Sequence, residues 1–216
     1  MKIGIIGTGN IGGTLGTLWL RRGHNVMFGV RDKNNPKVQA ILNSPDLPVR
    51  EACEARLSSV SEACAFGTVI LLAVPWPAVP EVLRAAADLQ NKILVDCTNP
   101  LNPGLSGLAI GFSTSAAEEI ARMARGAMVV KAFNTIGSGN LKDLSFGSFQ
   151  ADTFICGDDG EAKKIVKNLA EDIGFNVVDS GPLTQARLLE PLAMLWISLA
   201  YRYGYGPDIA IKLLKR

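Results

Sequence analysis

Residues Lys2 to Ile6 form a short apolar run that passes directly into Gly7-Thr8-Gly9-Asn10-Ile11-Gly12. From Asn10 onward the pattern turns helical, with Leu15, Leu18, Trp19 and Leu20 supplying an apolar side. A strand, three glycines at G-x-G-x-x-G spacing and a helix make up the dinucleotide fingerprint in the context it needs. Gly7 permits the tight turn out of the strand. Gly9 clears space for pyrophosphate oxygens, and Gly12 lets the helix pack closely on the strand. The helix start then offers free N–H groups and a partial positive charge to phosphate. The competing reading of the same residues is a glycine-rich structural turn.

The second strand is expected over Asn25 to Gly29, after the turn Arg21-Arg22-Gly23-His24. An NAD site places an acidic residue at the end of this strand for the ribose hydroxyls. Here the strand runs into Gly29-Val30-Arg31-Asp32-Lys33. The planar fork of Arg31 suits a 2′-phosphate, with Lys33 or Lys37 nearby, and Asp32 reads as a turn or cap residue. NADP(H) is therefore the expected cofactor. Arg31 as a solvated loop charge is the plainer alternative.

Strand and helix signals then alternate. Pro36 to Ile41 reads as a short helix, Asn43 to Pro48 as a loop, Arg56 to Ser58 as a strand and Ser59 to Ala65 as a helix. Thr68 to Val74 is an apolar run of the kind found in central parallel strands covered on both faces. It ends in Ala73-Val74-Pro75-Trp76-Pro77, with a helix expected to about Leu89. Further strands are expected over Lys92 to Cys97, Ala127 to Ala132, Phe154 to Cys156 and Asn176 to Asp179. Helices are expected over Ser115 to Arg125, Glu161 to Ile173 and Leu183 to Arg202, followed by a short amphipathic tail. This order predicts a Rossmann-type, doubly wound, mostly parallel α/β sheet over residues 1–182, with a short helical extension over 183–216 packed on it.

Ligands of such sheets sit beyond the carboxyl ends of the strands. Three of those ends carry Ala73-Val74-Pro75-Trp76, Thr98-Asn99-Pro100 and Asn134-Thr135-Ile136-Gly137. They are the candidate nicotinamide end, with ordinary turn chemistry as the alternative. Dehydrogenases that oxidise an alcohol need a placed acid or base. The single histidine, His24, reads as a surface turn residue away from the crevice, and Lys131 lies inside a strand, where packing or snorkelling is expected. Fewer than forty residues follow Asp179, too few for a separate substrate domain. Missing base and missing domain point to a second redox cofactor as hydride partner, whose ring needs alignment and exclusion of water.

Composition narrows the class further. The 216 residues carry a net charge of +2 with no basic block, which gives no sign of a nucleic-acid partner. No apolar run approaches the roughly 20 residues of a membrane span. Met1 leads straight into the first strand, leaving no room for a signal peptide, so a cytoplasmic protein is expected. Cys53, Cys64, Cys97 and Cys156 lack the spacing of a metal site or disulfide framework and are expected to be buried and reduced. Tyr201, Tyr205 and Trp196 read as core or interface aromatics.

Several of these stretches resemble the NADPH-dependent reductases of coenzyme F420, the F420:NADP oxidoreductase family, over nearly the whole chain. The resemblance is carried by Gly7-Thr8-Gly9-Asn10-Ile11-Gly12, by Val74-Pro75-Trp76, and by Cys156-Gly157-Asp158-Asp159 to Asp179-Ser180-Gly181-Pro182-Leu183. The chain is also similar to the oxidoreductase domain of the STEAP metalloreductases, to which Lys131-Ala132-Phe133-Asn134-Thr135-Ile136 looks closer. The resemblance implies that Thr8, Gly9, Asn10 and Ile11 hold the pyrophosphate, that Arg31 holds the 2′-phosphate, and that Ile136 and Gly137 lie near the nicotinamide. It implies direct hydride transfer to stacked coenzyme F420, FMN or FAD, and often a homodimer. Val30 stands where the family often has Ser or Thr, and Asn35 and Pro36 fall where a family lysine stands. Two rivals remain open: a flavin-linked ferric or cupric reductase, and a non-catalytic NADPH sensor.

Overall fold

The computed structural model describes residues 1–32, 34–42, 56–86 and 88–216. The first strand, β1 (Lys2–Ile6), lies in the middle of an eight-stranded sheet. It is flanked by β2 (Asn25–Gly29) and β4 (Val69–Leu72). On one side β3 (Arg56–Ser58) closes the edge. On the other the order continues through β5 (Ile93–Asp96), β6 (Met128–Lys131), β9 (Asp152–Gly157) and β10 (Asn176–Asp179). Neighbours are parallel throughout, save that β6 meets β9 antiparallel at Val130 with Gly157 and Lys131 with Cys156. The reversal has a physical cause. No α-helix links β6 to β9. A short 3₁₀ turn (Ser138–Lys142) and the hairpin of β7 (Ser145–Phe146) with β8 (Phe149–Gln150) turn the chain back instead. A parallel return needs a longer crossover.

Both faces are covered, and the strands show why. In β4, Val69 and Leu71 join one buried cluster while Ile70 and Leu72 join the other. The first cluster packs under α1 (Asn10–Arg21) and α6 (Gly160–Asp172), through Leu15, Trp19, Val166 and Leu169. The second packs under α3 (Val60–Phe66), α4 (Val79–Ala85), α5 (Ala116–Met123) and α7 (Ala186–Tyr201). A further helix, α2 (Pro36–Leu42), follows β2. Ser59 and Glu62 form a reciprocal capping box that fixes the start of α3. No helix among the described residues is long and apolar enough to cross a membrane.

Two local expectations change, and one is not tested. The helix after β4 starts as a 3₁₀ turn (Trp76–Ala78) and ends at Ala85, yet Leu89 is still buried, so its apolar character serves the core from a loop. The loop expected over 43–48 lies outside the described residues, as does Cys53. The tail past Tyr201 forms no helix. It runs back as an irregular strap, with the Asn140 amide donating to the carbonyls of Pro207 and Ile209, and the Leu213 N–H donating to Asp152.

Candidate functional site

The three glycines of the first loop have separable reasons to be glycine. Gly7 has φ +103°, and a Cβ there would stand 2.3 Å from the Ala73 carbonyl oxygen. A Cβ at Gly12 would stand 2.0 Å from the Gly7 carbonyl oxygen, so helix and strand could not close up. At Gly9 a Cβ would meet nothing within 4 Å. The protein itself makes no steric demand for glycine there. Gly9 also precedes α1, whose first turn has neither a side-chain cap nor an acidic residue, so its N–H groups remain directed at the loop.

This loop is one wall of a cavity of about 600 Å³, within the ordinary range for a cofactor site. The cavity brings together Gly7, Thr8, Gly9, Val30, Arg31, Ala73, Val74 and Pro75. Arg31 is exposed at the rim, and among the described residues its guanidinium makes no hydrogen bond or ion pair. Asp32 accepts from the Asn34 N–H at 2.9 Å, the turn role expected of it. Lys33 lies outside the described residues. Sequence reasoning missed the apolar wall that Val38, Val60, Val82 and Ala85 add, because these residues come from three separate helices.

Asn10, Ile11, Gly12 and Trp76 sit beside this cavity, outside its lining. The remaining candidates gather at the next strand ends, past β4. There the Asn99 side chain donates to the Asn134 carbonyl at 3.0 Å, and the Asn134 amide donates to Asn99 Oδ1 and the Leu189 carbonyl, each at 3.0 Å. Thr98 Oγ1, Asn134 Oδ1 and Thr135 Oγ1 are buried with no partner among the described residues. Buried polar atoms are normally satisfied, and an exception marks a place where a ligand can complete the set. Phe133 precedes them with φ +59°, a left-handed conformation that is costly for a bulky residue. Its ring is held by Trp19 at 6.0 Å and Phe175 at 5.6 Å, and its N–H by Thr153 Oγ1. The strained turn points the chain so that Asn134 and Thr135 follow at the strand end. Ile136 is buried, and Gly137 lies flat against Trp196, where a Cβ would stand 2.5 Å from the ring.

Beneath this end lies a group of charges. Lys131 is fully buried, with Asp96 Oδ2 at 2.8 Å and Glu190 Oε1 at 2.9 Å, and its ammonium also donates to the Thr98 carbonyl. Burial pulls the lysine pKa down, but the two carboxylates outweigh it and hold the group above its ordinary value. With all three N–H bonds engaged, this ammonium has no proton to spare. The expectation of packing or snorkelling is replaced by a buried ion cluster. Glu190 also accepts from the N–H groups of Ala116 and Ala117, at 2.9 and 3.1 Å, and so caps α5 from another helix. A lone acidic residue in the apolar run of α7 was the signal for it.

His24 is 8% exposed, not a surface residue. Its Nε2 stands 3.2 Å from Asp172 and its Nδ1 3.0 Å from the Met1 amine. It packs on the far side of the sheet's first strands from the ring end. Cys64, Cys97 and Cys156 are buried. Burial pushes the Cys156 thiol up to about 12 and raises that of Cys97, so both stay protonated.

A glycine loop with an open approach, an unpaired arginine at the end of β2 and orphaned polar atoms at β5 and β6 fit an extended dinucleotide. Fold and site together define a Rossmann-type, NADP-dependent oxidoreductase. A family model described as NADP oxidoreductase, coenzyme F420-dependent, matches residues 2–100. The chain is 29% identical to the F420-dependent NADP reductase of Methanocaldococcus jannaschii, over 100% of both chains. A candidate F420-dependent NADP reductase from Arthrobacter sp. FB24 superposes with a TM-score of 0.86 at 28% identity, again over 100% of both chains. Metalloreductase STEAP3 of Rattus norvegicus is 34% identical over 90% of this chain, which spans only 37% of that protein. The chain is thus similar to F420-dependent NADP reductases over its whole length, and to the STEAP metalloreductases over part of theirs.

Proposed function

We propose that this protein transfers hydride directly between NADP(H) and a planar ring acceptor, coenzyme F420 in the first instance or a flavin. The reading is carried by the ring end. Three orphaned polar atoms stand beside a lysine whose ammonium is engaged by Asp96, Glu190 and the Thr98 carbonyl. When bound, the nicotinamide supplies the chemistry: its C4–H bond breaks, and hydrogen and electron pair pass to the acceptor ring.

The chain's own residues bind and align. Gly7, Thr8, Gly9, Asn10, Ile11 and Gly12 hold the pyrophosphate on the start of α1. Arg31, with Val30 beside it, selects the 2′-phosphate, and Lys33 is the second cation the sequence offers for it. Ala73, Val74, Pro75 and Trp76 form the middle of the crevice. Thr98, Asn99, Asn134, Thr135, Ile136 and Gly137 orient the nicotinamide and keep water out. Residues 1–182 act as the cofactor-binding unit and 183–216 as an extension packed on it. Leu188, Leu192, Leu195 and Leu199 follow at spacings of four, three and four along α7, with Leu188 and Leu195 exposed. Such a stripe suits a homodimer, which light scattering would test. Cys97 and Cys156, buried thiols held protonated, fit a cytoplasmic setting.

The experiment is to mix stoichiometric NADPH with oxidised F420, FMN or FAD in turn and follow nicotinamide absorbance. Rapid loss with F420 is expected, and no loss with any ring would overturn the reading. The likeness to STEAP3 favours one second reading, a flavin-linked ferric or cupric reductase. It requires Fe(III) reduction with NADPH and free flavin while F420 is left untouched.

A further inference from the structure

Asp96 and Lys131 are register partners on adjacent parallel strands, and Glu190 reaches them from α7. All three side chains are fully buried. Asp96 Oδ1 accepts the Thr98 N–H at 2.8 Å, and Asp96 Oδ2 accepts from Lys131. Both Glu190 oxygens likewise meet only N–H donors. Carboxylates surrounded by donors alone are ionised, so the cluster holds one cation and two anions. The positive end of α5 offsets part of the surplus negative charge. Stability does not explain such an arrangement, because apolar side chains of the same volume commonly serve a core as well or better.

Its position gives a better explanation. Asp96 and Lys131 hold the backbone of Thr98, and the Leu189 carbonyl, next to Glu190, holds the Asn134 amide. These are two of the three residues that carry the orphaned oxygens. We propose that the Asp96–Lys131–Glu190 cluster sets the charge of the nicotinamide end, and that its surplus negative charge makes the site favour oxidised over reduced cofactor. The inference rests on the reading that the nicotinamide lies over the ends of β5 and β6. Oxidised nicotinamide is a pyridinium cation and the reduced ring is neutral. A fixed charge several ångströms away, shielded from water, therefore discriminates between them. The three residues are positioning residues and touch no reacting atom.

The test is calorimetric titration of NADP⁺ and NADPH, each without acceptor, into wild type and variants. In Glu190→Gln the ratio of NADP⁺ to NADPH dissociation constants should rise roughly tenfold, by the Coulomb energy of one charge at moderate dielectric. Asp96→Asn should move the ratio the same way. Lys131→Met, which adds to the negative surplus, should move it the opposite way, and Glu190→Asp should restore the wild-type ratio. If Lys131→Met does not fold, the two neutralising variants and the rescue still decide. Equal weakening of both cofactor forms in Glu190→Gln and Asp96→Asn would reduce the cluster to a structural prop and overturn the proposal. Arg31→Ala serves as the separate control, because it should weaken both forms alike. If it weakens neither, the NADP site itself is misread.

Discussion

The two ends of the crevice are built from different materials. At the proposed phosphate end the chain works with backbone: two glycines the fold cannot replace, a third with open space around it, and the uncapped start of α1. At the ring end it works with side chains gathered from three distant segments, held by Asn99, Asn134 and the Lys131 cluster. A backbone site is local and tolerates little substitution. A side-chain site is assembled by tertiary packing, and its members trade stability against binding. The contrast yields predictions that can break it.

Gly7→Ala should have the largest effect. The new Cβ would clash with backbone at 2.3 Å in a left-handed conformation, so we expect NADPH binding to fall by at least about a hundredfold, with a lowered melting temperature. Arg31→Ala should raise the NADPH KM at least about tenfold while sparing NADH, since a charged hydrogen bond is worth about 1.5–3 kcal/mol. Equal losses with both cofactors would remove Arg31 from 2′-phosphate recognition.

Gly9→Ala sharpens the comparison. Its Cβ enters open space, so the melting temperature should stay unchanged while NADPH affinity falls about tenfold, the cost of pushing a phosphate away from backbone N–H donors. Thr135→Val should separate the two properties in the other direction. It removes a buried hydroxyl that has no partner in the protein, so the free protein should melt slightly higher while NADPH binds about three- to tenfold more weakly. A Thr135→Val protein that binds NADPH as well as wild type would show that the orphaned atoms do not face the cofactor.

The smallest expected effect lies outside the crevice. Burial lowers the His24 pKa below 6.5, assisted by the nearby Met1 amine and partly countered by Asp172. The folded state thus prefers the neutral ring. This contribution is fully present above pH 6.5 and is lost as pH falls through that value toward the folded pKa. Melting temperature should therefore drop on acidification from pH 7 to 5.5, and less so in His24→Gln.

How much of this was legible follows the same division. The glycine loop and the strands at Val69–Leu72, Ile93–Asp96 and Met128–Lys131 could be read directly, because turn chemistry and unbroken apolar runs are local signals. The Lys131 cluster could not, because Asp96 and Lys131 meet only through strand register, and Glu190 arrives from the last helix. His24 looked like a turn residue because its neighbours are polar, yet Asp172 of α6 and the Met1 amine close on its two ring nitrogens. Phe133 gave no hint of its left-handed backbone, which accompanies contacts to Trp19, Phe175 and Thr153 from distant parts of the chain.

The central claim is that hydrogen passes straight from one ring to the other without a protein proton. It is tested most directly by single-turnover reduction of oxidised coenzyme F420 with NADPH carrying deuterium at the transferred C4 position. The account predicts that the label appears on the acceptor ring carbon with no loss to solvent, at a rate flat across the pH range in which the fold is stable. Label released to water, or a rate that follows the titration of a single protein group, would contradict it.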